Sequence, residues 1–218
     1  MNGPARRETR GRIMIHPISW AYVWPYVLGI FLCAYLIGSI PFGVVLTRLA
    51  GIGDIRRIGS GNIGATNVLR TGRKGLAALT LALDAAKGWA AVAAGGWLYG
   101  PDMAIVASYG VLTGHIFSVW LRFGGGKGVA TALGVLLALS WPTGLAALAT
   151  WIGVLAVTRI SSLSALVAAV AAPVAAHFFA TPQQTEFAVA LVVLIWLRHW
   201  ANIRRLLRGE ESRIGRKG

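Results

Sequence analysis

The stretch VATALGVLLALSWPTGLAALATWIGVLAVT, residues 129–158, contains no charged side chain in 30 positions. A single helix of that length would be about 45 Å long, whereas the hydrocarbon core of a bilayer is about 30 Å thick. The segment WPTG, residues 141–144, contains a proline and a glycine, which commonly interrupt helices. We therefore predict two short membrane helices, 129–140 and 144–157, and one kinked helix is the alternative.

Composition also points to a membrane as the solvent of this chain. Of 218 residues, 56% are hydrophobic and only 13% are charged, a balance that a soluble domain of this size could not bury in one core. Lysine and arginine outnumber aspartate and glutamate by 21 to 7. Because they lie between apolar stretches rather than along one soluble face, we expect lipid and anionic substrates as partners, and no nucleic acid.

Five further apolar stretches complete an all-α, polytopic membrane protein with about seven spans. A crossing needs roughly 20 apolar residues, and fewer where the bilayer is thin or neighbouring helices allow it. The additional spans are 20–47, 76–99, 103–121, 163–179 and 187–200. The first is expected to tilt, or to kink at Pro25 or Pro41. The spans form one transmembrane domain, 20–200, between a basic tail, 1–19, and a basic C-terminal segment, 201–218.

The positions of the basic residues predict the orientation in the membrane. Sixteen lysines and arginines from Arg48 onward lie in the loops at one end of the predicted spans, and the turns at the other end contain none. Since cytoplasmic loops retain lysine and arginine, the basic end is expected to be cytoplasmic. Seven spans then place the N-terminus outside, which conflicts with four arginines in the tail. A start at Met14 would remove them, and a signal peptide is another alternative.

The loop after the first span, GSGNIGATNVLR at residues 59–70, carries candidate phosphate ligands. Its glycines let backbone N–H groups approach an anion, and polar side chains can complete the cage. The guanidinium fork of Arg70 can bind two phosphate oxygens at once. The candidate ligands are Ser60, Asn62, Thr66, Asn67 and Arg70. A polar turn with a helix N-cap is the alternative.

A second loop, GGGKG at residues 124–128, leads directly into an apolar helix. Exposed amides and the positive end of a helix hold phosphate in this arrangement. We therefore expect Lys127 and the glycines Gly124, Gly125, Gly126 and Gly128 to contact substrate. The loop is not a Walker P-loop, because that pattern would need glycine at Leu121 and Ser or Thr at Gly128. A flexible surface turn with a lysine that reaches the headgroups is the alternative.

A third basic segment follows the last span and places His199 and Asn202 three residues apart on one helical face. Both are candidate site residues, with an interfacial anchor as the alternative. On the same side of the membrane, Ser162 follows Arg159 and adds a hydroxyl group that we expect to bind substrate.

Two opposite charges lie inside the second span. Asp84 and Lys87 are at i and i+3 and can pair across one helical face. We interpret the pair as a structural tie within the bundle, although charge inside a membrane is also typical of functional sites. Gly110 and Gly114, and His115 beside them, are interpreted as helix-packing residues.

These three loops together resemble the acyl-phosphate-dependent glycerol-3-phosphate acyltransferases of bacteria, from AYLIGSIPFG at 34–43 to RLLRGEE at 205–211. The resemblance implies an inner-membrane enzyme that moves a fatty acyl group from acyl phosphate to the sn-1 hydroxyl of glycerol 3-phosphate. The products would be lysophosphatidic acid and phosphate, in the first acylation of phospholipid synthesis. No cofactor or metal is implied, and we expect an enzyme that produces acyl phosphate nearby.

The resemblance also implies individual roles. The active-site residues that it implies are Ser60, Arg70, Lys127, His199 and Asn202, with Asn62 and Thr66 near the acyl phosphate. It implies that Lys127 contacts glycerol 3-phosphate and that Glu210 is mainly structural. Gly124 stands where the family commonly has lysine, and Ile63 and Ser118 stand where proline is common. None of these departures removes a proposed functional side chain.

An acyl phosphate is an activated mixed anhydride, so no protein nucleophile is required and positioning and charge stabilisation suffice. The proton of the attacking hydroxyl could pass to His199 or to the phosphate oxygens of the substrate. We favour the phosphate, because nearby cations lower the proton affinity of a histidine. The rival function is a transporter of a phosphorylated metabolite, but the sequence lacks the repeated halves typical of many transporters.

Overall fold

A computed structural model describes residues 20–215, and every regular element within that range is helical. The predicted all-α fold is therefore confirmed. The helices are α1 (Trp20–Ser39), α2 (Phe42–Leu49), α3 (Ala65–Leu69), α4 (Lys74–Tyr99), α5 (Pro101–Ile116), α6 (Val129–Leu139), α7 (Trp141–Thr158), α8 (Ser161–Phe179), α9 (Pro182–Arg198) and α10 (Trp200–Leu207). The arginine-rich tail and the alternative start at Met14 lie outside the described residues.

The uncharged stretch 129–158 is divided into two helices, as predicted, but the break lies at Ser140 rather than within the predicted segment 141–144, which belongs to α7. Ser140 interrupts it because its backbone is extended, with φ −155° and ψ 99°. Pro142 lies in the first turn of α7, where its missing N–H removes no helical hydrogen bond. The alternative of one kinked helix is wrong. In the first predicted span, α1 continues through Pro25, and the chain breaks instead at Pro41.

The predicted count of seven spans is not confirmed. Within the described residues, five helical stretches are long and apolar enough to cross a membrane, with α1 and α2 counted as one. A sixth results if α9 and α10 are taken together, although they are bent by 66°. We treat α9 as the span. The remaining predicted span corresponds to α6, which has only 11 residues.

The short helix α6 reaches one end of the bundle and begins inside it. At its C-terminal end, Ser140 Oγ donates to Phe179 O over 2.9 Å. Gln184 Nε2 donates to Leu139 O over 2.9 Å, so α6 meets the end of α8 and the start of α9. An 11-residue helix is about 16 Å long, whereas 19 residues in α8 span about 28 Å. The glycine-rich loop before α6 is therefore recessed, and Gly128 is buried.

Glycines bring the main helix pairs into backbone contact. A Cβ added at Gly114 in α5 would overlap Tyr35 O in α1, and one added at Gly134 in α6 would overlap Ala85 O in α4. A Cβ added at Gly110 would also overlap α1, at Phe31 O, which confirms the packing role predicted for Gly110 and Gly114. Small residues at such contacts allow the close van der Waals packing on which helix association in a membrane depends.

The ion pair predicted inside the second span is present and buried. Lys87 Nζ lies 2.7 Å from Asp84 Oδ1, and both side chains are 3% exposed. Lys87 also donates to Ile40 O over 2.8 Å, beside the break between α1 and α2. His115 Nδ1 lies 3.6 Å from Asp84 Oδ1. The pair thus ties α4 to the break between α1 and α2 and lies next to α5, and its structural role stays a prediction.

The glycine contacts predict a difference between two alanine variants. Gly114→Ala should lower the midpoint of thermal unfolding, because the new methyl group forces α1 and α5 apart at a cost of about 1–3 kcal/mol. Gly153→Ala in α7 is the matched control, since a Cβ there meets no atom within 4 Å. Thermal unfolding in detergent measures both. Equal midpoints would contradict packing through Gly114.

Candidate active site

A cavity of about 620 Å³ lies at the end of the bundle where the basic loops meet. Its polar lining comes from separate segments and includes Ser60, Arg70, Lys127, His199, Asn202 and Glu211. Its apolar lining includes Leu133, Leu136, Leu148, Trp151, Ala169 and Leu191. The cavity therefore offers a charged region and a hydrocarbon-like region in one continuous space between α6, α7, α8 and α9.

Most of the ligands predicted in the first loop line this cavity. Ser60, Asn62, Thr66 and Arg70 do so, and Thr66 Oγ1 lies 3.0 Å from Ser161 Oγ at the start of α8. This contact fixes the loop against the bundle, so that the polar side of the loop faces the cavity.

Asn67, by contrast, does not line the cavity, contrary to the prediction that it binds substrate. It is 1% exposed, and its Nδ2 donates to the carbonyl oxygens of Ile55, Ile58 and Asn62 over 2.8–3.0 Å. Its Oδ1 accepts from the backbone N–H of Ser60 over 3.1 Å. Both ends of the amide are thus engaged within the loop, and Asn67 holds the loop in shape.

The amides of the first three glycines in the second loop are also engaged within the protein. Gly124, Gly125 and Gly126 donate to the carbonyl oxygens of Leu121, Ile116 and His115 over 3.0, 3.1 and 3.0 Å. These N–H groups are therefore not directed at a substrate, contrary to the prediction. Arg198 adds a clamp, since its Nε donates to Gly126 O over 3.3 Å and its Nη2 to Gly125 O over 3.4 Å.

Lys127 and Gly128 do line the cavity, and their contact with substrate stays a prediction. Gly128 has φ 84°, a left-handed backbone conformation that favours glycine. This turn starts α6 at the cavity wall, which Val129 and Ala130 continue. The amides of a first helical turn have no acceptor in their own helix and attract anions. The anion-binding capacity of the loop therefore lies at its end, in Lys127 and the start of α6.

A chain of hydrogen bonds links Lys127 to the C-terminal segment. Lys127 Nζ donates to Asn202 Oδ1 over 2.5 Å, and Asn202 Nδ2 donates to Glu211 Oε1 over 2.6 Å. The same carboxylate oxygen accepts from Ser162 Oγ over 2.8 Å. Glu211 Oε2 accepts from Arg205 Nε over 2.6 Å. The second loop and the C-terminal segment are thus joined in one site, and Ser162 belongs to it.

Sequence reasoning missed Glu211 and assigned the structural role to Glu210. Glu210 is exposed, whereas the Glu211 side chain is 7% exposed and accepts the three hydrogen bonds just described. Two adjacent acidic residues in a basic segment indicated that one of them has a specific role. The segment after α10 is not helical, however. Helical periodicity therefore could not say which glutamate faces the cavity.

Asp84 also lines the cavity, together with His115, whereas Lys87 is not part of the lining. His115 supports the second loop as well, because a Cβ added at Gly126 would overlap its Nε2. The buried ion pair thus underlies the loop that carries Lys127, and its structural role extends to the shape of the site.

The environment of the site shifts its ionisable groups in different directions. Burial lowers the pKa of Lys127 to about 8, assisted by the charges of Arg205, Arg70 and Arg198 and opposed by Glu211. Burial alone would raise the pKa of Glu211, but its hydrogen bonds hold that pKa below the usual value. At neutral pH the lysine is therefore mostly charged, and the carboxylate is ionised.

His199 is a neutral imidazole in this site. Burial lowers its pKa to about 4, and the charge of Lys127 acts in the same direction. The direction agrees with the sequence-based expectation, but burial rather than neighbouring cations is the largest cause. Its Nδ1 lies 2.8 Å from Ile195 O, which can only accept, so we assign the proton to Nδ1. Nε2 is then left as a hydrogen-bond acceptor.

The fold and the site define a membrane-embedded α-helical protein in which a cationic recess continues into an apolar cavity, a shape suited to an amphiphile that carries phosphate. The family model described as glycerol-3-phosphate acyltransferase matches residues 28–209, and the chain belongs to that family.

Individual relatives agree with this assignment. A glycerol-3-phosphate acyltransferase of Paramagnetospirillum magneticum is 61% identical over 84% of this chain and 91% of its own length. One of Maricaulis maris is 60% identical over 84% of this chain and 85% of its own. The crystal structure of PlsY, an integral membrane glycerol 3-phosphate acyltransferase, in its glycerol 3-phosphate form matches with a TM-score of 0.82 at 37% identity, covering 87% of this chain and 96% of that one. The predicted family is confirmed.

Matched alanine substitutions at the two adjacent glutamates should change the stability of the protein to different extents. Glu211→Ala should lower the thermal midpoint, because Asn202 and Ser162 lose a buried acceptor at a cost of about 1–3 kcal/mol. Glu210→Ala should change stability by less than about 0.5 kcal/mol, as exposed positions usually do. Thermal unfolding of both variants in detergent checks this. A larger loss for Glu210→Ala would reverse the assignment.

The lowered pKa of Lys127 predicts a pH dependence of anion binding. Affinity for inorganic phosphate should fall as pH rises through about 8, because the lysine loses the charge that attracts phosphate. The measurement is calorimetric titration above about pH 7.5, where phosphate is already mostly dianionic. Lys127→Arg, which stays charged, should flatten the dependence. Equal slopes for the two proteins would assign the titration to another group.

Proposed function

We propose that this protein transfers a fatty acyl group from acyl phosphate to the sn-1 hydroxyl of glycerol 3-phosphate, giving lysophosphatidic acid and inorganic phosphate. The proposal is carried by one observation, a cavity in which Arg70 and Lys127 line the polar part and α6–α9 line the apolar part. Such a space accommodates a phosphate and a hydrocarbon chain together.

The relatives support the acceptor and the product. They are named as glycerol-3-phosphate acyltransferases, and PlsY has been solved in a glycerol 3-phosphate form and a lysophosphatidic acid form. Acyl phosphate as the donor comes from the sequence resemblance, and the site is compatible with it. A donor of this kind brings a second phosphate, and two cations on different segments, Arg70 and Lys127, face the same cavity.

The reaction needs little more than positioning and charge stabilisation. The hydroxyl oxygen of glycerol 3-phosphate forms a bond to the acyl carbon, and the bond from that carbon to the phosphate oxygen breaks. Arg70 and the first turn of α6 stabilise the charge on the departing phosphate. Lys127, which the resemblance assigns to glycerol 3-phosphate, lies in the same cavity and adds to this stabilisation. Holding both substrates together in line supplies much of the remaining rate enhancement. No protein nucleophile takes part.

His199 orients the attacking hydroxyl in this mechanism. Its Nε2 accepts a hydrogen bond from that hydroxyl, while a pKa of about 4 makes the ring a weak base. A phosphate oxygen, whose pKa is about 6, is the better final acceptor of the proton. Ser60, Asn62 and Thr66 are assigned to the donor phosphate. Ser162 is assigned to substrate binding. It either contacts substrate beside Asn202 or positions Glu211, to which it donates a hydrogen bond.

The same proposal places the polar end of the cavity at the cytoplasmic face of a bacterial inner membrane. It is supported by the sixteen basic residues of the loops and by the contacts that gather Arg70, Lys127 and Arg198 at one end of the bundle. With α6 counted as a crossing, the N-terminus lies outside. A nearby enzyme that makes acyl phosphate would supply the donor at this face.

Purified protein is expected to release phosphate from acyl phosphate only when glycerol 3-phosphate is present, in step with formation of lysophosphatidic acid. Lys127→Met should reduce kcat about 100-fold or more, the usual effect of removing a group that stabilises developing charge. Lys74→Met, an exposed lysine outside the cavity lining, is the control and should retain activity. Transfer from acyl-CoA but not from acyl phosphate would overturn the donor assignment.

A substitution at His199 separates orientation from base catalysis. His199→Gln, whose amide oxygen can still accept a hydrogen bond, should raise KM for glycerol 3-phosphate several-fold and lower kcat less than about tenfold. Steady-state kinetics from pH 5 to pH 8 measure both, on either side of the usual histidine pKa of about 6.5. A loss of kcat by about 1,000-fold with KM unchanged would instead identify His199 as the general base.

A further inference from the structure

The chain beyond α10 folds back over the polar end of the cavity. We call residues 210–215 the C-terminal strap, and residues 211–215 line the cavity. It is anchored at two points, through the hydrogen bonds of Glu211 to Asn202 and Ser162 and through Ile214 N, which donates to Arg159 O over 2.8 Å. The residues between these anchors are therefore held against the site.

Ser212 lies between the anchors and meets the first loop. Arg70 Nη2 donates to Ser212 Oγ over 2.6 Å, across 142 positions of sequence. A serine hydroxyl can accept two hydrogen bonds and donate one. Among residues 20–215, no group accepts the Ser212 proton. The guanidinium N–H groups of Arg70 and the Ser212 hydroxyl proton are thus available side by side at the cavity.

We propose that Ser212 is a further phosphate-binding residue of this site and that it acts together with Arg70. This inference rests on the proposed function, in which Arg70 binds a substrate phosphate. The arginine supplies charge and two directed donors, and the serine supplies a third donor from the adjoining strap. The strap therefore completes a phosphate site that the first loop leaves open on one side.

A purely structural role explains Ser212 less well. The strap is already fixed by Glu211 and Ile214, and one hydrogen bond at an exposed side chain adds little stability. Arg213, the next residue, also lines the cavity and adds positive charge to this wall. The groups at this point of the strap, a hydroxyl beside two arginines, are those of an anion-binding site rather than of a structural contact.

The test uses full-length protein carrying Ser212→Ala, with Ser212→Thr as the conservative variant and Glu210→Gln as the control on the same strap. Ser212→Ala should raise KM about tenfold for one of the two phosphate substrates, with kcat within about twofold of wild type, as expected for a lost hydrogen bond to a charged group. Ser212→Thr should restore KM to within about threefold. Glu210→Gln should match wild type.

The substrate whose KM changes identifies the phosphate that Ser212 binds, either the donor phosphate or that of glycerol 3-phosphate. Unchanged KM for both substrates would overturn the proposal. So would a lower thermal midpoint and lower kcat with KM unchanged, which is the pattern of a structural latch.

Calorimetric titration with inorganic phosphate tests the role of Ser212 without requiring acyl transfer, and so tests it independently of the proposed function. If wild-type protein shows no acyl transfer, the proposed function fails, and phosphate binding still tests Ser212. Weaker binding to Ser212→Ala than to wild type and Ser212→Thr supports the phosphate site. Equal affinities for all three proteins refute it.

Discussion

The contact between Lys127 Nζ and Asn202 Oδ1 is the interaction on which the rest of the site depends. A partly buried lysine needs a polar partner, because an unpaired charge is costly to bury. A carboxylate in that place would neutralise the lysine. An amide oxygen stabilises the ammonium group without removing its charge, so Lys127 remains able to attract phosphate. Glu211 makes this possible by accepting a hydrogen bond from Asn202 Nδ2, which turns Asn202 Oδ1 towards the lysine.

The fold brings these groups together by shortening one helix. Because α6 has only 11 residues and its C-terminal end lies at the opposite end of the bundle, the loop before it lies below the ends of its neighbours. Gly134 allows α6 to pack directly on the α4 backbone, and the clamp of Arg198 on Gly125 and Gly126 holds the loop in place. Cations can therefore meet the head of an amphiphile while its chain lies along α6–α9.

Local patterns predicted the features that depend on neighbours in sequence. The helical fold, a break near Pro142 and the Asp84–Lys87 pair follow from charge-free length, turn residues and i, i+3 spacing. The structure contains all three, with the break at Ser140, one residue before the segment predicted to contain it. The role of Asn67 was wrong and Glu211 was missed, because their roles depend on hydrogen bonds to the folded loop and to distant segments, which no local pattern encodes. The span count was not confirmed because apolar composition cannot distinguish a full crossing from a short recessed helix.

The central claim is that one cavity holds the phosphate and the acyl chain of the donor together. A structure with a non-transferable acyl phosphonate, in which carbon replaces the bridging oxygen, tests it most directly. The phosphonate should lie within hydrogen-bond distance of Arg70 or Lys127, with its chain between α6, α7 and α8. A phosphonate bound elsewhere, or a chain lying on the outer surface of the bundle, would contradict the claim.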